Sequence, residues 1–307
     1  MLERSELELR DGVLLHVETY GPAAAGVTVV LLHGWCLDRR TWHHQIAALL
    51  QRGDVRVVAF DARGHGHSGS TRLQAATLAE LGDDLAEVLR AYAQEGSVVL
   101  AGHSMGGMTI MEYAHRYPDD FAGRITGLLL ASTTAEGTTH TRYGLPAAVT
   151  RVFRAAELTG AGVLARLGAW NPHQAFLPAL QPAVRWLLFG DEFLPGDLQV
   201  TMSAFGKAPL RSIGGFRTSI GAQQRLETLA RLGTLPAAVL VGSRDRLTPP
   251  ECAQAIAAAF PGADLTVFAG AGHMVILERP DEVSQALLSV LDRAAADRGH
   301  EGYERAA

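Results

Sequence analysis

Six short, continuous apolar runs limit what this 307-residue chain can become. They fall at residues 27–32, 55–60, 98–101, 125–130, 237–241 and 265–268. None shows the apolar/polar alternation of a half-wet strand, so each reads as a strand buried on both faces. Helical patterns separate them, at about 41–50, 77–93, 105–117, 249–260 and 281–295. Alternating strand and helix predicts an α/β fold, with a mostly parallel sheet and helices on both faces. Residues 6–10 and 13–20 flank Asp11-Gly12, a tight-turn dipeptide, and predict a hairpin that adds antiparallel strands at one edge.

One interval breaks the rhythm. No strong strand run lies between Leu130 and Ala237. Residues 134–219 read as helices broken by Pro146, Pro172, Pro178, Pro182, Pro195 and Pro209. We expect a helical cap inserted here after the sixth strand, with 1–133 and 220–307 forming the core. Nine of the chain's 20 aromatics fall in this segment, either filling its own small core or lining an apolar pocket. Its eight basic residues against five acidic ones read first as solvated helix faces and only second as suiting an anionic or carboxylate-bearing substrate. The tail from Ala294 is expected to fray.

Composition removes several function classes. With 48% hydrophobic and 19% charged residues the chain can build a core and is not a disordered segment. The net charge of -5 comes with no dense Lys/Arg run, which argues against nucleic-acid binding. No membrane span is expected, because no stretch approaches 18 uncharged apolar residues. The start carries charges of both signs and lacks a secretory pattern, so the expected location is cytoplasmic. Cys36 and Cys252 lie far apart and form no metal or disulfide pattern.

The chemistry concentrates at Gly102-His103-Ser104-Met105-Gly106, placed directly after a strand run and before a helical pattern. A serine in that position must turn sharply and projects its hydroxyl from the strand's carboxyl end. The helix N-terminus below it offers N–H groups to a developing negative charge. A serine hydroxyl needs a base, and the base an orienting acid. His273 follows the strand run 265–268 on a loop of small residues, and Asp245 follows the run 237–241. Thr248 is expected to cap the next helix, with Pro249 in its first position. Ser104, Asp245 and His273 are therefore the candidate catalytic residues, all at one edge of the sheet. For the oxyanion the candidates are the backbone N–H of Met105 and, from the loop after the strand 27–32, of Trp35. His103 reads as structural, and His43, His44 and His115 as surface or satisfied core residues. No metal ligand set is expected, because Gly64-His65-Gly66-His67 has no carboxylate or cysteine cluster beside it.

Taken in order, His33-Gly34-Trp35, the segment Asp61 to Ser68, Gly102 to Gly107, Gly242-Ser243-Arg244-Asp245 and Gly272-His273 resemble the α/β-hydrolase fold superfamily. The likeness is to its serine esterase, lactonase and cofactor-free haloperoxidase-like branch, and spans about residues 10–295. It implies an acyl-enzyme on Ser104, a small-molecule acyl substrate and no cofactor. Epoxide hydrolases and haloalkane dehalogenases, which this chain also resembles, carry aspartate where this chain has Ser104. Two alternatives share the fold: a perhydrolase using the same triad with peroxide, and a non-hydrolytic binding member.

Overall fold

The computed structural model describes residues 2–137, 149, 159–168 and 170–306, and of residues 172 and 298–306 the backbone alone. Its strands are β1 (Leu2–Glu8), β2 (Leu14–Tyr20), β3 (Val27–Leu32), β4 (Val55–Phe60), β5 (Ser97–His103), β6 (Ile125–Ala131), β7 (Ala237–Gly242) and β8 (Ala263–Phe268). They form one sheet in the order β1-β2-β4-β3-β5-β6-β7-β8. The hairpin β1–β2 and the pairing of β2 with β4 are antiparallel, and all other pairs are parallel. Gly12 closes the hairpin at φ 80°, a conformation that suits glycine.

Successive side chains on the central strands serve opposite faces, as the pleat requires. Val30, Val58, Leu100, Leu128 and Val239 join one apolar layer with α2 (Leu78–Tyr92) and α3 (Met105–Arg116). Their neighbours Val29, Val57, Val99, Leu129 and Leu240 join a second layer. There they meet Ile46 and Leu49 of α1 (His43–Arg52) and Val283 and Leu287 of the last helix. This two-sided burial is why the strands read as unbroken apolar runs.

A short helix, α4 (Pro118–Arg124), precedes β6 where no separate helix was predicted. Between β6 and β7 stand α5 (Leu177–Leu188), α6 (Pro195–Lys207) and α7 (Leu210–Ala222), followed by α8 (Leu226–Ala230). The chain ends with α9 (Pro250–Ala259), α10 (Val275–Glu278) and α11 (Pro280–Ala306). The last helix runs on to Ala306. Among the described residues no helix is long and apolar enough to cross a membrane.

The aromatics between β6 and β7 divide between buried and exposed positions. Phe189 and Phe216 are buried, and they pack into apolar clusters shared with the core rather than into a separate one. Trp170, Phe176 and Trp186 stay exposed. Tyr143 and Phe153 lie outside the described residues.

Candidate active site

Ser104 stands between β5 and α3 with φ 53° and ψ -116°. Such a backbone costs a non-glycine residue about 1–3 kcal/mol and persists only where its surroundings enforce it. Here the enforcement is steric and polar. A Cβ on Gly102 would lie 2.5 Å from Gly107 N, and one on Gly106 would lie 2.2 Å from Leu32 O. Both contacts are with backbone, so neither position accepts a side chain unless the turn opens. Ser104 N–H donates to Ala131 O of β6 at 2.9 Å, and Thr133 Oγ1 donates to Ser104 O at 2.7 Å.

Asp245 and His273 meet at the same sheet edge. His273 Nδ1 lies 2.8 Å from Asp245 Oδ2 and 3.0 Å from Oδ1. Leu247 N–H and Thr248 N–H each donate to Oδ1 at 2.9 Å, and Thr248 Oγ1 donates to Oδ2 at 2.9 Å. Burial alone would raise the Asp245 carboxyl, but the neighbouring His273 and these donors outweigh it and hold it below the ordinary carboxylate range. Thr248 therefore does not cap the following helix. Pro249 occupies the cap position without a side-chain bond, and the threonine hydroxyl serves the carboxylate instead, 3.3 Å from His273 Nδ1.

His273 is held from three further sides. His103 Nε2–H donates to His273 O at 2.9 Å, with the two rings 5.0 Å apart. Burial, followed by the nearby His273, pushes the His103 imidazole down to about 3, so it stays neutral as a structural donor. Leu188 O, at the end of α5, accepts both His273 N–H (2.8 Å) and Met274 N–H (3.0 Å). Glu278 accepts from Gly272 N–H at 2.9 Å and from Gly190 N–H at 2.7 Å, joining the histidine loop to the end of α5. Its pKa is raised, chiefly by burial.

Ser104 and the Asp245–His273 pair are thus joined through His103 and the sheet edge. Among the described residues the His273 ring bonds to Asp245 and Thr248 and not to Ser104 Oγ. Bonds of that kind often close only in the substrate complex. Met105, the first residue of α3, has an N–H with no partner inside its helix. Trp35 N–H has no hydrogen-bond partner among the described residues. The Trp35 indole donates to Ser212 O of α7 at 3.1 Å, and Ser212 Oγ donates to Gly64 O at 2.7 Å. Phe216 and Ile220 of α7 pack with Met105 and Met108 beneath that indole.

The loop from Asp61 to Ser68 is structural. Asp61 accepts from Arg39 N (2.9 Å), Arg39 Nη1 (2.7 Å) and His67 N (2.8 Å). Arg63 grips Asp84 of α2 through two bonds of 2.6 and 2.5 Å and reaches Asp11 at 2.9 Å. His103 is the structural histidine expected from sequence, Thr248 serves the carboxylate instead of the expected cap, and Glu278 and Leu188 escaped assignment because each acts through a partner distant along the chain or through its backbone.

A parallel sheet with a strained serine turn and a buried imidazole–carboxylate pair at one edge is the architecture of an α/β-hydrolase. The chain belongs to the alpha/beta hydrolase family, whose model matches residues 29–286. It is 28% identical over 289 residues to the "Putative carbamate hydrolase RutD" of Variovorax paradoxus (strain S110), covering 92% of this chain and 97% of that protein. Among solved structures it is similar to a malate-bound thermophilic esterase from Thermogutta terrifontis, with TM-score 0.75, 26% identity and coverage of 95% and 99% of the two chains. It is also similar to Est816, described as an N-acyl homoserine lactone degrading enzyme, with TM-score 0.66, 26% identity and coverage of 93% and 99%.

Proposed function

We propose that the chain is a serine hydrolase that cleaves a carboxylic ester or lactone through an acyl-enzyme on Ser104. The observation that carries this is the buried His273–Asp245 pair beside the strained turn that presents Ser104. The esterase and lactone-degrading neighbours point to the same class of carbonyl substrate.

In the first step Ser104 Oγ attacks the substrate carbonyl carbon while His273 Nε2 takes the hydroxyl proton. Asp245 holds the ring through Nδ1–H and balances the imidazolium. The carbonyl oxygen gains the negative charge and takes hydrogen bonds from Trp35 N–H and Met105 N–H. As the tetrahedral centre collapses, the bond to the leaving alkoxide breaks and His273 returns the proton to that oxygen. Water repeats the sequence on the acyl-enzyme, releasing the acid and restoring Ser104. Residues 134–219 act as a cap over this edge, and the substrate is a small acyl compound.

A fluorophosphonate probe and a panel of p-nitrophenyl esters from acetate to decanoate test the proposal. Wild type labels and turns over at least one ester, while Ser104→Ala and His273→Ala do neither. A folded wild type that neither labels nor hydrolyses refutes it. Faster turnover with hydrogen peroxide than with water moves the assignment to perhydrolysis.

A further inference from the structure

The start of α1 and the first turn of α6 bring together two imidazoles and a carboxylate that the hydrolytic site does not use. His43 Nε2 lies 3.3 Å from Asp197 Oδ1, and His44 Nε2 lies 3.2 Å from the same oxygen. One ligand atom from each of the three residues fits within 4.8 Å of the other two. The two rings are adjacent in sequence, yet both turn to the same side, with centroids 3.9 Å apart.

We propose that His43, His44 and Asp197 form a binding site for a divalent transition-metal ion of the zinc class, which joins the core helix α1 to α6 of the insertion.

Asp197 supplies the first argument. Its side chain is 4% exposed. A buried carboxylate normally collects several donors, as Asp245 does from Leu247, Thr248 and His273. Among the described residues the only groups on the Asp197 carboxylate are these two rings. The spacing is also long for a charge-assisted hydrogen bond, which settles at about 2.7–2.9 Å. With zinc–nitrogen bonds of about 2.0–2.1 Å, neighbouring ligand atoms of a tetrahedron stand roughly 3.3 Å apart, which matches both pairs.

The tautomer supplies the second argument. His43 Nδ1 lies 3.0 Å from Arg40 O, and a carbonyl only accepts, so Nδ1 carries the proton. With Nδ1 turned to that carbonyl, Nε2 is the ring atom that faces Asp197 Oδ1 and is placed to ligate an ion held between them. A backbone carbonyl on the far nitrogen is the outer partner that orients a metal-bound imidazole.

Two imidazoles and one carboxylate suit zinc, copper or nickel better than calcium or magnesium, and leave a fourth position for water. The side chains of His43 and His44 are 43% and 26% exposed, which provides the entry path. The site is independent of Ser104, so its test stands apart from that of hydrolysis.

The test titrates tag-free, metal-stripped protein with zinc chloride by calorimetry and with cobalt chloride by visible absorption. One equivalent binds, cobalt shows the intense d–d bands of a four-coordinate site, and zinc raises the Tm by several degrees. Asp197→Asn and His44→Ala each weaken zinc binding by about tenfold or more and abolish the Tm rise. His43→Ala, at an exposed position where folding is not at stake, does the same. Stoichiometric binding that survives all three substitutions places the ion elsewhere and overturns the proposal. So does a folded wild type with no zinc-dependent heat or Tm shift.

Discussion

Replacing Asp245 by asparagine tests the orientation of His273 with almost no change in volume. Oδ1 accepts two backbone N–H groups, from Leu247 and Thr248, each at 2.9 Å. Those donors fix which end of the new amide stays an oxygen. The amide nitrogen must then occupy the place of Oδ2, 2.8 Å from His273 Nδ1 and 2.9 Å from Thr248 Oγ1. The threonine hydroxyl rotates to accept, but Nδ1–H cannot face a second donor. The ring shifts its proton to Nε2, the atom that takes the proton of Ser104 in the proposed mechanism, and that base is lost while every buried group stays bonded. The expected fall in kcat is about 10³–10⁴-fold, or about 4–5.5 kcal/mol of barrier, with little change in Tm. Steady-state kinetics on whichever p-nitrophenyl ester the wild type cleaves provides the assay. An Asp245→Asn enzyme within about tenfold of wild type would refute the tautomer argument.

Further expectations concern stability and reactivity. Gly106→Ala forces a Cβ to within 2.2 Å of Leu32 O, a backbone atom, and should lower stability by about 1–3 kcal/mol, read from the urea midpoint. An unchanged midpoint would show that the turn relaxes freely. Because the folded carboxyl of Asp245 sits below its unfolded value of about 3.9, its contribution is present above that value and drains away as pH falls through the lowered folded one. Asp245→Asn should therefore flatten the acid limb of a stability–pH profile, and an unaltered limb would contradict this. Burial pushes the Cys252 thiol up to about 11 and the Cys36 thiol further still, so neither should react with a disulfide reagent until the protein unfolds. Stoichiometric labelling of native protein at pH 8 would count against that.

Much of the architecture was legible because the core writes itself locally. Runs such as 27–32 and 125–130 are apolar on both pleat faces, and that signal needs no knowledge of their neighbours. Ser104 was legible for a related reason, since its two glycines mark a turn that no other side chain permits. Asp245 and His273 were readable as loop residues after strands, and the structure sets them against each other. What stayed hidden depends on distant partners. Thr248 fits the pattern of a helix cap, and only the arrival of His273, 25 residues later, diverts its hydroxyl. His43 and His44 look like surface histidines until Asp197, 153 residues further on, is folded onto them. Glu278 is an ordinary helix-terminal acid until two backbone N–H groups converge on it.

The carbonyl of Leu188 carries a consequence for anyone who would re-engineer this chain. It is the shared acceptor for the backbone N–H groups of His273 and Met274, both on buried residues. A chimera that exchanged 134–219 for a foreign segment would strand both donors unless the graft returned a carbonyl to the same spot, at about 1–3 kcal/mol for each. His273 would lose this backbone anchor, and with it the seat that the proposed proton transfer needs. Point changes between β6 and β7 leave this anchor in place, while a wholesale exchange keeps it only if the new segment supplies the same carbonyl.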